Sequence, residues 1–426
     1  MSFALGLLPV LLLVLGFPVF LVLLTASCVA LAVFMHMPLA ALQQNLFGSV
    51  NAYALLAIPY FIFAGELMER GSVARRLVTF VRACVGPVHG SLGFTTIGTG
   101  AIFGAISGVS AASVATVGRI MYPSMREAGY AAPFSAGLIA AVGAVGVVIP
   151  PSIPMIVYAA AAEQSIPRLY AAGLVPGLLI VALLAAYTWW HGRRSGSDEG
   201  QPFDRRTFLQ AFGRGIWALG APAIILGGIY GGIFSPTEAA AVACVYTAAV
   251  TRLVFRELTL KDLWAAGLAT VTFSAQILII IACAGVFSWL LTVNQVPAAL
   301  IAWVEPASLP PWLILIVINL LLLAIGCVID PLSAILLLTP LLLPVILAAG
   351  IDPVHFGIVI TVNLAIGLFT PPFGINIFVA QSVFEIELKE IYRGVVPFFF
   401  VYLVALALIT FVPALSLAAV RLLVSG

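Results

Sequence analysis

The chain has 426 residues, 63% hydrophobic and 8% charged, with a formal net charge of +2. This balance excludes an ordinary soluble domain, and the recurring apolar runs of twenty or more residues exclude a barrel of short alternating strands, so the fold class is an all-α polytopic membrane protein. The few charges are confined to loops, which gives no basis for a nucleic-acid surface.

The first apolar run, 3–34, lacks a basic lead and is too long for a signal peptide, so it is predicted to be a retained membrane helix. Further crossings are predicted at 51–69, 131–162, 170–190, 214–232, 236–255, 265–292, 353–384 and 394–424, nine in all. The segments 70–82 and 293–305 are too short to span and read as interfacial arms. "SPTE" at 235–238 is a capping box: Ser235 at the N-cap, Pro236 at N1, Glu238 at N3. Cys28, Cys84, Cys244, Cys283 and Cys327 are scattered and odd in number, so they read as small buried hydrophobes rather than a disulfide framework.

Charge sorts out two remaining apolar pairs, 91–128 and 311–349. If each pair returns to the side it entered from, sixteen of the eighteen Lys and Arg fall on one face, and only Arg168 and Arg421 fall on the other. A single crossing by either pair would destroy that bias. Both pairs are therefore predicted to be re-entrant hairpins, and the Arg-rich face to be cytoplasmic. This count leaves the N-terminus cytoplasmic and the C-terminus periplasmic.

An ungapped shift of 221 residues supports the same division. It carries Pro123 onto Pro344, Gly129 onto Gly350, Gly146 onto Gly367, Pro150-Pro151 onto Pro371-Pro372, and Pro176 onto Pro397. With one helix left over between the halves, the second half is inverted relative to the first, the repeat plan of secondary transporters. The expected parts are a first repeat at 1–190, a basic loop and connecting helix at 191–232, and a second repeat at 233–426.

Two stretches interrupt the apolar pattern at equivalent places, "GVVIPPSIP" (146–154) and "GLFTPPFGI" (367–375). One proline kink says little. Two double breaks in one register point to broken helices whose freed carbonyls suit a hard cation, and whose freed N–H groups suit a carboxylate. The backbone around Gly146 and Pro150 with Ser152, and around Gly367, Thr370 and Gly374 with Asn376, supplies the candidates. At the hairpin tips, Ser107 and Ser110 bracket a turn at Gly108, and Asp330 precedes Pro331. Asp330 has two readings: a helix N-cap, or a cation ligand. As the lone acidic residue deep in an apolar run it is costly, and a bound cation would offset that cost. The four histidines show no metal spacing, and no nucleotide or nucleophile–base motif appears, so neither an ATP-driven pump, an enzyme nor a transition-metal protein is expected.

With these features on the page, the sequence resembles the large membrane subunit of TRAP (tripartite ATP-independent periplasmic) transporters. The resemblance rests on "FGAISGVSAASVATVGRIMYPSMREAGY" (103–130), "GVVIPPSIPMIVYAAAAEQSI" (146–166), "FSPTEAAAVA" (234–243), "DPLSAILLLTPLLLPV" (330–345) and "GLFTPPFGINIFVA" (367–380). It implies an elevator-type, Na+-coupled importer in the bacterial inner membrane. The implied cargo is an organic acid, such as sialic acid or a C4-dicarboxylate, delivered by a periplasmic binding protein. The implied partner in the lipid bilayer is a small four-helix membrane subunit, expected on a separate chain. Na+ is the coupling ion, with no organic cofactor. By resemblance, Ser107, Gly108 and Ser110 with the 146–152 break form one Na+ site, and Asp330 with the 367–376 break forms a second. Substrate would lie between the tips, near Ser110, Ser152 and Asn376. Where the family has a serine this chain has Val109, which leaves only backbone ligation there. The rival readings are a stand-alone ion-coupled carboxylate transporter and a channel.

Overall fold

The computed structural model describes residues 3–195, 200, 204–304 and 309–424, and the regular elements among them are all helices. Part of the basic loop (196–199 and 201–203) and the end of the second predicted arm (305) lie outside the described residues.

The N-terminal run is not one crossing. α1 (Leu8–Val14) and α2 (Val19–Val29) are separated at Gly16, whose φ is +81°, and Pro18 then starts the second helix. Gly tolerates that backbone turn, and Pro cannot continue the preceding helix. The chain folds back, so that Ala4 shares a buried cluster with Ala30 and Leu31. The count that placed the N-terminus on the Arg-rich face used a single crossing here and loses that premise.

The predicted 51–69 helix is the second part of a longer bent unit. α3 (Leu39–Val50), missed from the sequence, precedes α4 (Ala57–Arg70), and the two meet at 60°. α5 (Val73–Val85) is the first predicted arm. Its start is tied to a distant loop: the Glu257 carboxylate accepts from Ser72 N at 2.8 Å and Arg76 Nη2 at 2.7 Å. Partial burial pushes the Glu257 carboxyl up, but hydrogen bonds from Ser72 and then Arg76 outweigh it and hold it below its ordinary value.

α6 (Ser91–Ser107) and α7 (Ser110–Glu127) form the first hairpin. The first broken helix is α8 (Ala132–Val148) and α9 (Ile153–Ala161), bent by 43°. There follow α10 (Ile166–Ser195), α11 (Arg205–Tyr230), α12 (Pro236–Ala249), α13 (Leu260–Val293) and α14 (Val296–Val304), the second arm. The predicted capping box is present on α12, and Thr259 with Asp262 makes another on α13. α15 (Pro311–Gly326) and α16 (Pro331–Ala348) form the second hairpin, and α17 (Pro353–Gly367) with α18 (Ile375–Phe384) the second broken helix. The last predicted crossing, 394–424, is also two helices. α19 (Leu388–Phe411) stops at Val412-Pro413, and α20 (Ala414–Leu423) turns back onto α10.

The 221-residue shift holds at the level of elements. Ser110, the start of α7, falls on Pro331, the start of α16, and Ala132, the start of α8, falls on Pro353, the start of α17. α3 and α4 together fall on the single 34-residue α13. α8 and α17 are apolar all round and buried along nearly their whole length, as expected of helices at the centre of a membrane bundle. Each hairpin packs on its own repeat's broken helix, α6 and α7 on α8, α15 and α16 on α17. Each also reaches across to the other repeat, α7 to α18 and α16 to α9. The chain interruptions thus lie inside protein, where non-helical backbone is tolerated in a membrane.

Candidate ion and substrate site at two broken helices

At the first tip, Gly108 ends α6 in the left-handed region, φ +62°, and its N–H donates to Gly104 O at 2.8 Å. Val109 is extended and caps α7. The hydroxyls of Ser107 and Ser113 lie 3.2 Å apart, and Ser113 donates to Val109 O at 3.2 Å, so three oxygens gather inside the turn. Ser113 was not singled out from the sequence, although it lies one turn after Val109. The tip rests against the first break: a side-chain carbon on Gly108 would lie 3.2 Å from Ile153 Cγ1. One turn earlier the backbones of Gly104 and Gly146 touch.

The second hairpin repeats this crossing, with Gly326 at the end of α15 against Gly367 at the end of α17. Inside the second break, Gly367 O accepts from Thr370 N at 3.2 Å, Thr370 O from Gly374 N at 3.1 Å, and Leu368 O from Asn376 N at 2.9 Å. Gly374 is sterically required, because a side-chain carbon there would lie 2.8 Å from Leu368 O and Thr370 N. Each carbonyl keeps a second lone pair.

The predicted side chains divide into two groups. Ser110, Ser152, Thr370 and Asn376 have partners within the protein. Ser110 Oγ donates to Asn376 Oδ1 at 3.0 Å, and Asn376 Nδ2 donates to Ala140 O at 2.8 Å, which ties the first tip to α18 of the other repeat. Ser152 caps α9 and donates back across its break to Val147 O, fully buried. Thr370 Oγ1 donates to Ile366 O at 2.6 Å.

Asp330 is the other kind. It is exposed, it caps α16 through one oxygen (Oδ2 accepts from Ser333 N at 3.0 Å), and among the described residues no Lys or Arg forms an ion pair with it. It opens onto a cavity of about 1020 Å³, whose wall includes Gln276, Ser333 and Phe373 of the second break. Its wall also includes the N-terminal hairpin turn, Gly16, Phe17 and Pro18. Sequence reading missed that wall because the turn was taken as helix; the Gly-x-Pro spacing was its only signal.

Two buried acceptors next to these breaks lack hydrogen-bond partners, Asn363 Oδ1 one turn before Gly367 and Ser333 Oγ beside Asp330. Among the described residues no three His, Cys, Asp or Glu side chains converge. The donor set is therefore carbonyl, hydroxyl and one carboxylate oxygen, which suits a hard cation.

Comparison with known proteins agrees with this architecture. Residues 6–415 match the family described as "Tripartite ATP-independent periplasmic transporter, DctM component". The C4-dicarboxylate TRAP transporter large permease protein DctM of Pseudomonas aeruginosa is 41% identical over 378 residues, covering 89% of this chain and 88% of that one. The isethionate TRAP transporter permease protein DctMQ of Oleidesulfovibrio alaskensis is 40% identical over 407 residues, covering 95% of this chain and 64% of that longer one. In fold, the chain is similar to the crystal structure of the Alcanivorax borkumensis YdaH transporter, with a TM-score of 0.67 at 16% identity, covering 95% of this chain and 98% of that one. Asp330, the two breaks and both hairpins lie within the matched span, and the chain belongs to the tripartite ATP-independent periplasmic transporter family as a DctM component.

Proposed function

We propose that the chain is the ion-coupled translocating subunit of an organic-acid importer in the bacterial inner membrane. The observation that carries this reading is the inverted pair of broken helices, each crossed by a re-entrant hairpin at a glycine–glycine contact. Na+ fits the second site as coupling ion. The free oxygen of Asp330 and the carbonyls of the 367–374 break are acceptors with no competing cation. A carboxylate in hydrocarbon costs a few kcal/mol, and a bound Na+ lowers that cost. At the first site the oxygens of Ser107, Ser113 and Val109 play the same part, beside Gly146 and Pro150.

The substrate is a small organic anion. It is drawn to the N-terminal ends of α9 and α18, where the helix dipole favours negative charge. Ser110 and Asn376 fix the tip against α18, and engage substrate only by exchanging their mutual bond. The hairpins and broken helices move as one body against the arms and remaining helices, so that only the charge-compensated site crosses. The Arg-rich face is cytoplasmic. The N-terminal hairpin then puts both its ends on the periplasmic face, which replaces the cytoplasmic N-terminus expected from the sequence, and α19 leaves the C-terminal segment periplasmic.

The partners are a periplasmic binding protein that delivers the acid and a small membrane subunit. Proteoliposomes holding this chain, the small subunit and the cognate binding protein are predicted to accumulate the acid. Omitting either partner abolishes uptake. Full uptake by this chain alone would refute the tripartite reading in favour of a stand-alone transporter. The acid itself is identified by a thermal-shift screen of the binding protein.

A further inference from the structure

The outer side of the first hairpin tip rests on a scaffold residue that no part of the ion-site reading uses. α4 presents Gly65 to the tip, in a row of buried neighbours that includes Phe61, Ile62, Ala64 and Met68. A side-chain carbon on Gly65 would lie 3.0 Å from Ser107 Cα, 3.1 Å from Ser107 O and 3.5 Å from Ser107 C. All three are backbone atoms, so no rotamer change relieves the contact. The residue above Gly65 is the one that ends α6 and carries a hydroxyl of the three-oxygen turn.

The tip is held at further contacts besides Gly65. On its far side Gly108 abuts Ile153, one turn below Gly104 touches Gly146, and on the α7 side Ser110 is bonded to Asn376. One turn further along α4, Glu69 lines a common pocket with Thr116 and Arg119 of α7, so α4 follows the hairpin beyond its tip. Two glycines of the surrounding helices, Gly227 and Gly267, are not confined in this way: they have nothing within 4 Å of the same position.

We propose that Gly65 is a positioning residue for the first ion site: it seats the Ser107 turn at the depth that brings its oxygens to the cation. The proposal rests on the reading of that tip as a Na+ site. A methyl group at position 65 pushes the Ser107 backbone by a few tenths of an ångström, and ligand geometry is sensitive to shifts on the order of 0.5 Å. Gly65→Ala therefore raises the half-saturating Na+ concentration by about tenfold, the scale of losses from outer-shell support, while the rate at saturating Na+ is largely kept. Ile153→Val removes a methyl group that lies against Gly108 and gives the displaced tip room, so the double variant recovers part of the Na+ affinity.

The test is Na+ activation of uptake by the complete complex in proteoliposomes, for the parent, Gly65→Ala, Gly65→Ala with Ile153→Val, Gly267→Ala and Ser107→Ala. The Na+-dependent rise in melting temperature of the purified protein is a second readout that does not need transport. The expected result is a raised Na+ midpoint in Gly65→Ala, partial recovery in the double variant, and no change in Gly267→Ala. A parental midpoint in Gly65→Ala beside a shifted one in Ser107→Ala overturns the seat and leaves the ion site standing. A parental midpoint in Ser107→Ala overturns the ion site at this tip, and the seat with it.

Discussion

At Asp330 one carboxylate serves two purposes that substitution separates. Its Oδ2 caps α16 by accepting from Ser333 N, while its charge faces the cavity without a basic partner. Asn caps a helix about as well as Asp, whereas Ala costs about 1 kcal/mol. Asp330→Asn is predicted to leave the melting temperature without Na+ near that of the parent, and to lose Na+-dependent stabilisation and Na+-driven uptake. Asp330→Ala lowers the melting temperature as well. Parental Na+ dependence in Asp330→Asn would reduce the residue to a cap. Asp330 was legible in the sequence because a lone acid in an apolar run has a physical cost. Gly65 was not, because a glycine in a membrane helix is unremarkable until the fold brings another backbone to within 3.0 Å of its missing side chain. Ser110 and Asn376 were each singled out, but their bond spans 266 positions and joins elements that only tertiary packing brings together.

Helix interruptions were legible in proportion to their punctuation. The double-proline breaks recur at one spacing, the hairpin tips are marked by Gly108 and by Asp330-Pro331, and the structure has breaks and hairpins where expected. The N-terminal break is marked only by Gly16 and Pro18 in a run that stays apolar, so hydropathy merged two helices into one. Likewise α3 is not apolar enough to stand out, and the bend at Asn51 separates it from α4 while its counterpart runs straight through α13. The N-terminal correction has a directional consequence. Under the proposed topology, with α1 folded back on α2, Phe3 and residues 36–38 share a face, opposite the end of α10 at Arg193 and Arg194. Single cysteines placed after Met1, at His36 and at Arg194 in a cysteine-free background are predicted to react with an impermeant maleimide from the outside, the outside and the inside of spheroplasts, respectively. An N-terminal cysteine that reacts only from the inside would restore a single crossing at 3–34.

For the whole molecule, the two repeats lean on each other through their hairpins and broken helices as well as through the frame. The frame contact is the Glu257 bracket, which joins the loop before α13 to the start of α5. The second contact is the exchange of hairpins, α7 on α18 and α16 on α9, so under the proposed mechanism a cation that orders one tip also fixes the other repeat's broken helix. On this account ion binding and substrate binding are coupled because they share walls, with neither needing a separate relay. Inverted architecture was legible from a shift of 221 residues and the distribution of sixteen basic residues; the cross-repeat packing that links the sites was not, because it appears only when the helices are assembled. The most direct test is to measure radiolabelled Na+ and radiolabelled acid entering the same proteoliposomes of the complete complex. The account predicts that both enter together in a fixed ratio, and that replacing external Na+ with K+ stops acid uptake. Acid uptake at an undiminished rate in K+ would contradict it.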